Sequence, residues 1–444
     1  MRKTIRNSAL STASTTETIS LRKPRGSFLL RSLALPVAAV MGAGALMMHA
    51  PEVAMAAPPD PTESASAPAS PSASSSASAS ETDSSTESAE KARITATAQG
   101  LVDAGFPAAL AAVTDPSGNT TGVAVGKGNL ETGEAPPLDG EVRIGSISKT
   151  FTAVVIMQLV QEGKITLDEP VESYLPGLLK GEGIDGSKIT VRQLLQHTSG
   201  LPEYTDTTPG SGDIFQIKDH YIPPRDLLDT ALGKPAAFEP GTQWKYTNTN
   251  YVVLGMLVER VSQRPVGEQI DQRIVKKLGL SHTYFPAPGD RSIKGTHPQG
   301  YHLSAGGKLE DITEMDPAWA WAAGARVSTP SELNTFFQAV LDGRLLSQAS
   351  IDEMKKGVDT GAGGAVYGLG LIGTPLSCGG TSWGHNGGIH GYRTYDAVGP
   401  DGTAVTVAVT ALPRAIADQS NPESSAKEKE QRLKDAVDAT LCHK

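Results

Sequence analysis

Residues 147–161, "ISKTFTAVVIMQLVQ", constrain the fold more than any other stretch. Phe151, Val154, Val155, Ile156, Leu159 and Val160 follow one another too densely to leave a polar face. A helix here is apolar nearly all round, so other elements must cover it on every side. Gly163 supplies its stop. A chain of 444 residues, 39% hydrophobic, has enough mass to build that surround.

The covering elements can be read on either side. Residues 89–103 suit a helix, and 108–126 suit two short strands around the turn "DPSGN". From 165 to 324, helical patterns such as "VRQLLQH", "PRDLLDTAL" and "YVVLGMLVERVSQ" alternate with Pro/Gly loops. Beyond them "GARVSTPSELNTFFQAVL" is a helix with Ser328 or Thr329 as N-cap. "SWGHNGG", "YRTYDAVG" and "AVTVAVTAL" then alternate as antiparallel strands with "GPDG" as a hairpin turn, and "ESSAKEKEQRLKDAVDATL" closes the chain as a helix. The expected fold is α/β in the α+β sense: an antiparallel sheet flanked by helices, built from 91–164 and 325–444, with an all-helical lobe inserted at 165–324.

The first 90 residues stand apart. Basic residues Arg22, Lys23, Arg25 and Arg31 lead into "LALPVAAVMGAGALMM" and the small-residue exit "AMA", so 1–56 reads as an export signal, either cleaved or retained as an anchor. Residues 57–90 are a Ser/Ala/Pro tract with little to bury, expected to be a disordered tether or a propeptide remnant. The expected location is therefore secreted or on the cell surface. The signal carries seven basic and two acidic side chains, so the remainder of the chain carries −14 against −9 for the whole. With no basic stripe, nucleic acid is excluded as a partner. The two cysteines, Cys378 and Cys442, read either as a disulfide suited to an oxidising compartment or as two buried free thiols. A bridge would close a long loop and contribute roughly 4 kcal/mol.

Ser-x-x-Lys occurs four times, at Ser20/Lys23, Ser88/Lys91, Ser146/Lys149 and Ser424/Lys427. The first lies in the signal, the second in the tract and the fourth on the charged terminal helix. Only Ser146 begins a buried helix. There Lys149 sits one turn along the same face, where a desolvated, neutral lysine can act as base. Free backbone N–H groups at the helix start can hold an oxyanion. The other reading of Ser146 is an ordinary N-cap. Two further windows bear on the choice: Tyr246 and Asn248 in "YTNTNY", able to pass a proton and hold an amide, and His385, Asn386 and Gly387 in "GHNGG", a strand edge with room for a ligand backbone.

Ser-x-x-Lys, Tyr-x-Asn and His-x-Gly in this order resemble the serine penicillin-recognising enzymes, in the branch of class C β-lactamases and secreted D-alanyl-D-alanine carboxypeptidases. The likeness spans residues 92–443, through "RIGSISKTFTAVVIMQLVQEG", "ITVRQLLQHTSGLPEYT", "YGLGL" and "GHNGGIHGYRTY", and includes the cysteine pair. The resemblance implies that Ser146 is the acylated nucleophile and that Lys149 and Tyr246 share the proton transfers. Asn248 would orient the substrate amide. His385 would support the Tyr246 hydroxyl electrostatically and, with Gly387, line the substrate strand. The N–H groups of Ser146 and Gly388 would form the oxyanion hole, and Phe215 and Trp319 are either walls of the acyl side or core aromatics. It also implies a monomer without cofactor or metal, acting on peptides that end in a D-amino acid, acylated by β-lactams and associated with the cell wall.

Two positions depart from the carboxypeptidase pattern. Gly388 stands where a hydroxyl residue, and Ile372 where an arginine, would hold the peptide's terminal carboxylate; Arg393 is the candidate substitute. "GLGLIG" at 368–373 matches a dinucleotide fingerprint but leads into no helix, and no Gly-x-Ser-x-Gly elbow occurs. His197 reads as structural, and His297, His302 and His390 lack zinc-ligand spacing. The expected function is an exported serine D-peptidase of D-alanyl-D-alanine carboxypeptidase type. An esterase, a D-aminopeptidase or a β-lactamase using the same site is the alternative, and a non-catalytic penicillin-sensing module is the alternative of another class.

Overall fold

The computed structural model describes residues 78–207 and 213–442, with side chains from residue 88 onward. The export signal and residues 57–77 of the tether lie outside the described residues. Five long helices and eight sheet strands frame the protein. The helices are α1 (Ser78–Asp103), α2 (Ser148–Gln161), α3 (Thr249–Ser262), α4 (Pro330–Leu341) and α5 (Pro422–Cys442). The strands are β1 (Ala108–Thr114), β2 (Thr120–Gly126), β3 (Val358–Asp359), β4 (Val366–Tyr367), β5 (Ile372–Pro375), β6 (Thr381–Ile389), β7 (Tyr392–Val398) and β8 (Ala404–Val409).

All strands of this sheet pair antiparallel in the order β2-β1-β8-β7-β6-β5-β4-β3, so strands from before and after the insert meet at the β1–β8 ladder, where Leu110 faces Ala408. Strand β1, "AALAAVT", is buried at every position because helices α1 and α4 cover its two faces, and its alanines let them approach. On the α1 and α5 face, Ile94, Leu101 and Phe106 pack with Val405, Val407, Leu433 and Val437. On the other face α2 sits at the centre of the larger core, against α3, α4 and the short helix Trp321–Gly324. Phe151 of α2 stacks on Phe336 of α4 with centroids 3.6 Å apart.

Local signals explain the ends of these elements. Thr329 is the N-cap of α4, accepting from the Glu332 N–H at 3.3 Å. Gly163 follows α2 with a φ of 69°. Helix α1 starts at Ser78, so the last thirteen residues assigned to the tether are helical. From Ser78 to Gln99 helix α1 has neither Gly nor Pro, and each residue added ahead of the packed Ile94–Leu101 stretch extends an existing helix cheaply. The insert is not all helical either. It carries two hairpins, Lys180–Gly181 with Ile184–Asp185 and Tyr301–Leu303 with Leu309–Asp311, because the intervening Gly-containing turns fold short segments back on themselves. Cys378 and Cys442 form a disulfide that ties the end of α5 to the β5–β6 turn.

Candidate active site

Ser146 lies in a single 3-10 turn, Gly145–Ile147, that leads into α2. It caps neither the turn nor the helix: the flanking positions are Ile144 and Ile147, and neither cap involves a side chain. Its hydroxyl is instead held by Lys149, whose Nζ is 3.0 Å from Oγ, and by a hydrogen bond with Tyr246. Two glycines permit this. A Cβ on Gly387 would stand 1.8 Å from the Ile144 carbonyl oxygen, and one on Gly145 would stand 2.7 Å from that of Gly388. The turn and strand β6 therefore touch backbone to backbone, which brings Ser146 beside Gly388, the two residues expected to form the oxyanion hole.

Lys149 is fully buried and donates to three acceptors: Ser146 Oγ, the Asn248 Oδ1 at 2.7 Å and the Ala323 carbonyl at 2.8 Å. Burial pulls its pKa down to about 7, and the nearby Glu203 carboxylate partly opposes that fall. On losing a proton the amine keeps two N–H bonds to the carbonyl oxygens, and its lone pair turns to Ser146 Oγ–H. Tyr246 is pushed up instead, chiefly by burial, and stays a neutral phenol. Lys149 Nζ lies 4.9 Å from its ring centroid.

Glu203 was not singled out by the sequence patterns. Its Oε2 accepts from the Asn248 backbone N–H at 2.6 Å and from Nδ2 at 3.2 Å, so it orients the carboxamide that holds Lys149. One Nδ2 hydrogen of Asn248 remains for a substrate amide. The signal was slight: a lone acid in the otherwise uncharged run "HTSGLPEYT". Tyr367 was missed too, and it corrects the reading of His385. The His385 Nδ1 must donate to the Asn386 carbonyl at 2.6 Å, so Nε2 accepts from the Tyr367 hydroxyl at 2.9 Å. With 3% exposure and a pKa lowered to about 3, first by burial and then by Lys149, His385 is neutral and offers no positive charge to Tyr246. His197 is buried, accepts from the Thr247 N–H at 3.3 Å and packs its ring 4.3 Å from that of Tyr246.

Strand β5 pairs with β6 only as far as Ile372 opposite Gly384. Residues 385–389 are paired on the β7 side alone, which leaves their other edge toward the turn that carries Ser146. The cleft there, about 920 Å³, is lined by Ser146, Tyr246, His385, Gly388, Ile372 and Arg393, among others. Phe215 and Trp319 are not among the described residues that line it. They share a ring cluster with His302 and His390, in which Phe215 is 6.2 Å from His302 and Trp319 is 5.4 Å from His390. Their backbones lie in short 3-10 turns of the insert, whose placement no local spacing encodes. Arg393 reaches the cleft but is not free: Nε bonds Glu430 Oε2 at 3.1 Å, and Nη2 bonds Glu430 Oε1 and, at 3.0 Å, the Tyr395 hydroxyl.

A family profile described as Beta-lactamase matches residues 94–427. The chain belongs to that family. Within it, the chain is 27% identical over 264 residues to a Bacillus subtilis (strain 168) protein named PbpX for penicillin binding, and the match spans 60% of each chain. Among solved structures it resembles a D-stereospecific amidohydrolase from a Streptomyces species, with 34% identity and a TM-score of 0.70 over 80% of this chain and 99% of that one. It also resembles the D-amino acid amidase of Ochrobactrum anthropi SV3, with 26% identity and a TM-score of 0.66 over 78% and 98%. The protein is thus a β-lactamase-fold serine hydrolase related to penicillin-binding proteins and D-amino acid amidases.

Proposed function

We propose that the protein is an exported serine amidohydrolase that opens the amide bond on the carbonyl side of a D-residue. The observation that carries the chemistry is the three-acceptor hold on Lys149, which leaves its nitrogen against the Ser146 hydroxyl. Ser146 Oγ adds to the D-residue carbonyl as its proton passes to Lys149. The carbonyl oxygen takes up negative charge between the N–H groups of Ser146 and Gly388. The C–N bond breaks, the proton reaches the leaving nitrogen through Lys149 or Tyr246, and water then attacks the ester with the same groups in reverse roles. Penicillin acylates the same oxygen when its lactam takes the place of the amide.

The likeness to the D-stereospecific amidohydrolase supports the choice of a D-residue. Release of terminal D-alanine by a D-alanyl-D-alanine carboxypeptidase is one case of this chemistry, distinguished by a carboxylate on the leaving amine. Residues 1–56 and the Cys378–Cys442 disulfide support action outside the cytoplasmic membrane. Hydrolysis of D- and L-phenylalanine p-nitroanilide by the full chain tests the reading. The D form is expected to turn over at least 100-fold faster, and equal rates for the two would overturn it.

A further inference from the structure

The cleft does not stop at Ser146. It runs on as a groove over β6 and β7, between the loop and strand bearing Thr360 and Thr374 on one side and Gln431 and Lys434 of α5 on the other. Its 920 Å³ lies at the upper end of the roughly 300–1,000 Å³ typical of pockets that enclose a whole ligand, and ammonia or one small amino acid fills little of it.

The floor next to the nucleophile is made by Gly388 and its cross-strand neighbour Arg393. A Cβ on Gly388 would stand 3.1 Å from the Arg393 Nη1, so the guanidinium occupies the space that a hydroxyl side chain would need. The charge of that guanidinium is already matched, and its Nη1 alone has no hydrogen-bond partner among the described residues. Glu430 of α5 engages Nε and Nη2, the Tyr395 hydroxyl joins them, and Arg393 and Glu430 are 15% and 27% exposed. Burial opposes ionisation of Glu430, yet Arg393 holds its carboxyl below the usual range. The next cation, Lys434, is exposed and shares its helix with Asp435 and Asp438. Asn386, whose side chain points along the same strand face as Gly388, lines the groove with a carboxamide that has no hydrogen-bond partner among the described residues. A terminal carboxylate placed here meets a neutral ion pair and an amide, which suit a peptide backbone better than an anion.

We infer that the leaving-group side of the site takes an extended, uncharged chain, a peptide that continues beyond the amide following the D-residue, rather than a terminal amino acid carboxylate. This rests on the serine amidohydrolase reading and adds the class of leaving group to it. The bond broken is the D-residue's C–N bond, and the departing peptide amine carries off the proton taken from Ser146.

Steady-state kcat/KM of the full chain on three donors with one acyl group tests it: D-phenylalanine amide, D-Phe-D-Ala with a free carboxylate, and D-Phe-D-Ala-Gly-amide. The expected result is at least a tenfold preference for the amidated tripeptide over both others. Glu430→Gln, which uncovers the Arg393 charge, is expected to shift the ratio at least fivefold toward the free acid. Thr374→Trp, at an exposed position on β5 independent of the ion pair, is expected to lower the ratio of tripeptide to simple amide at least fivefold. A wild type that cleaves the free acid or the simple amide as fast as the tripeptide overturns the inference while leaving the amidohydrolase reading in place. Ratios unmoved in both variants overturn it equally. No turnover of any donor, together with no acylation by penicillin, overturns both.

Discussion

Lys149 shows how one residue's surroundings set its chemistry. Buried and matched to three acceptors, it titrates near pH 7 rather than 10.5. Only the neutral amine can take the Ser146 proton, so the acylation rate rises with pH through about 7 and levels off above it. Single-turnover acylation by a fluorescent penicillin between about pH 5 and pH 9 checks this, and Lys149→Ala is expected to lower the plateau by about 10²–10⁴-fold. His385, held neutral down to about pH 3, contributes no limb in that range. Ser146, Lys149, Tyr246 and Asn248 were legible in the sequence because their types and short spacings carry the chemistry. Glu203, Tyr367 and the neutral state of His385 were not, since each depends on a partner far along the chain: Glu203 with Asn248, and Tyr367 with His385.

Helices and strands position the site through a few buried polar ties. Asp396 of β7 faces Thr406 of β8, with Oδ2 2.6 Å from Thr406 Oγ1, and Thr406 is in turn 2.7 Å from the Asn334 Oδ1 of α4. The Asn334 Nδ2 donates to the Ala112 carbonyl of β1, so Oδ1 is its acceptor end. The single Thr406 hydrogen therefore goes to Asn334, and Asp396 must donate to Thr406 as a neutral acid. Burial raises its pKa well above the ordinary value, in agreement with this. An unfolded Asp releases its proton near pH 3.9, so the stability from this group is full below that pH and is lost as pH rises toward the folded value. Asp396→Asn keeps a donor with no proton to lose. The wild type is expected to lose stability relative to this variant by up to about 1.4 kcal/mol per pH unit above pH 4, read from urea unfolding at several pH values. Parallel pH profiles would contradict it. The apolar runs made α2 and strands β6, β7 and β8 legible. The 3-10 turn under Ser146 and the early end of β5 were not, because tertiary contact rather than periodicity fixes them.

At the scale of the molecule, the segments before and after the insert join in one sheet and wrap a helix that no surface could tolerate. The sequence pattern showed that architecture because burial of residues 147–161 leaves few alternatives. The hairpins within the insert, the backward extension of α1 and the Glu430 hold on Arg393 escaped it, since short or charged segments carry no strong period. In the proposed reaction the fold, the buried lysine and the two glycines that press β6 against the Ser146 turn all serve the acylation of one oxygen. Mass spectrometry of the full chain quenched during reaction with a D-phenylalanine ester, followed by digestion, measures that event directly. The account predicts a D-phenylalanyl adduct on the peptide carrying Ser146 and none in Ser146→Ala; an unmodified wild type, or the same adduct in the variant, would contradict it.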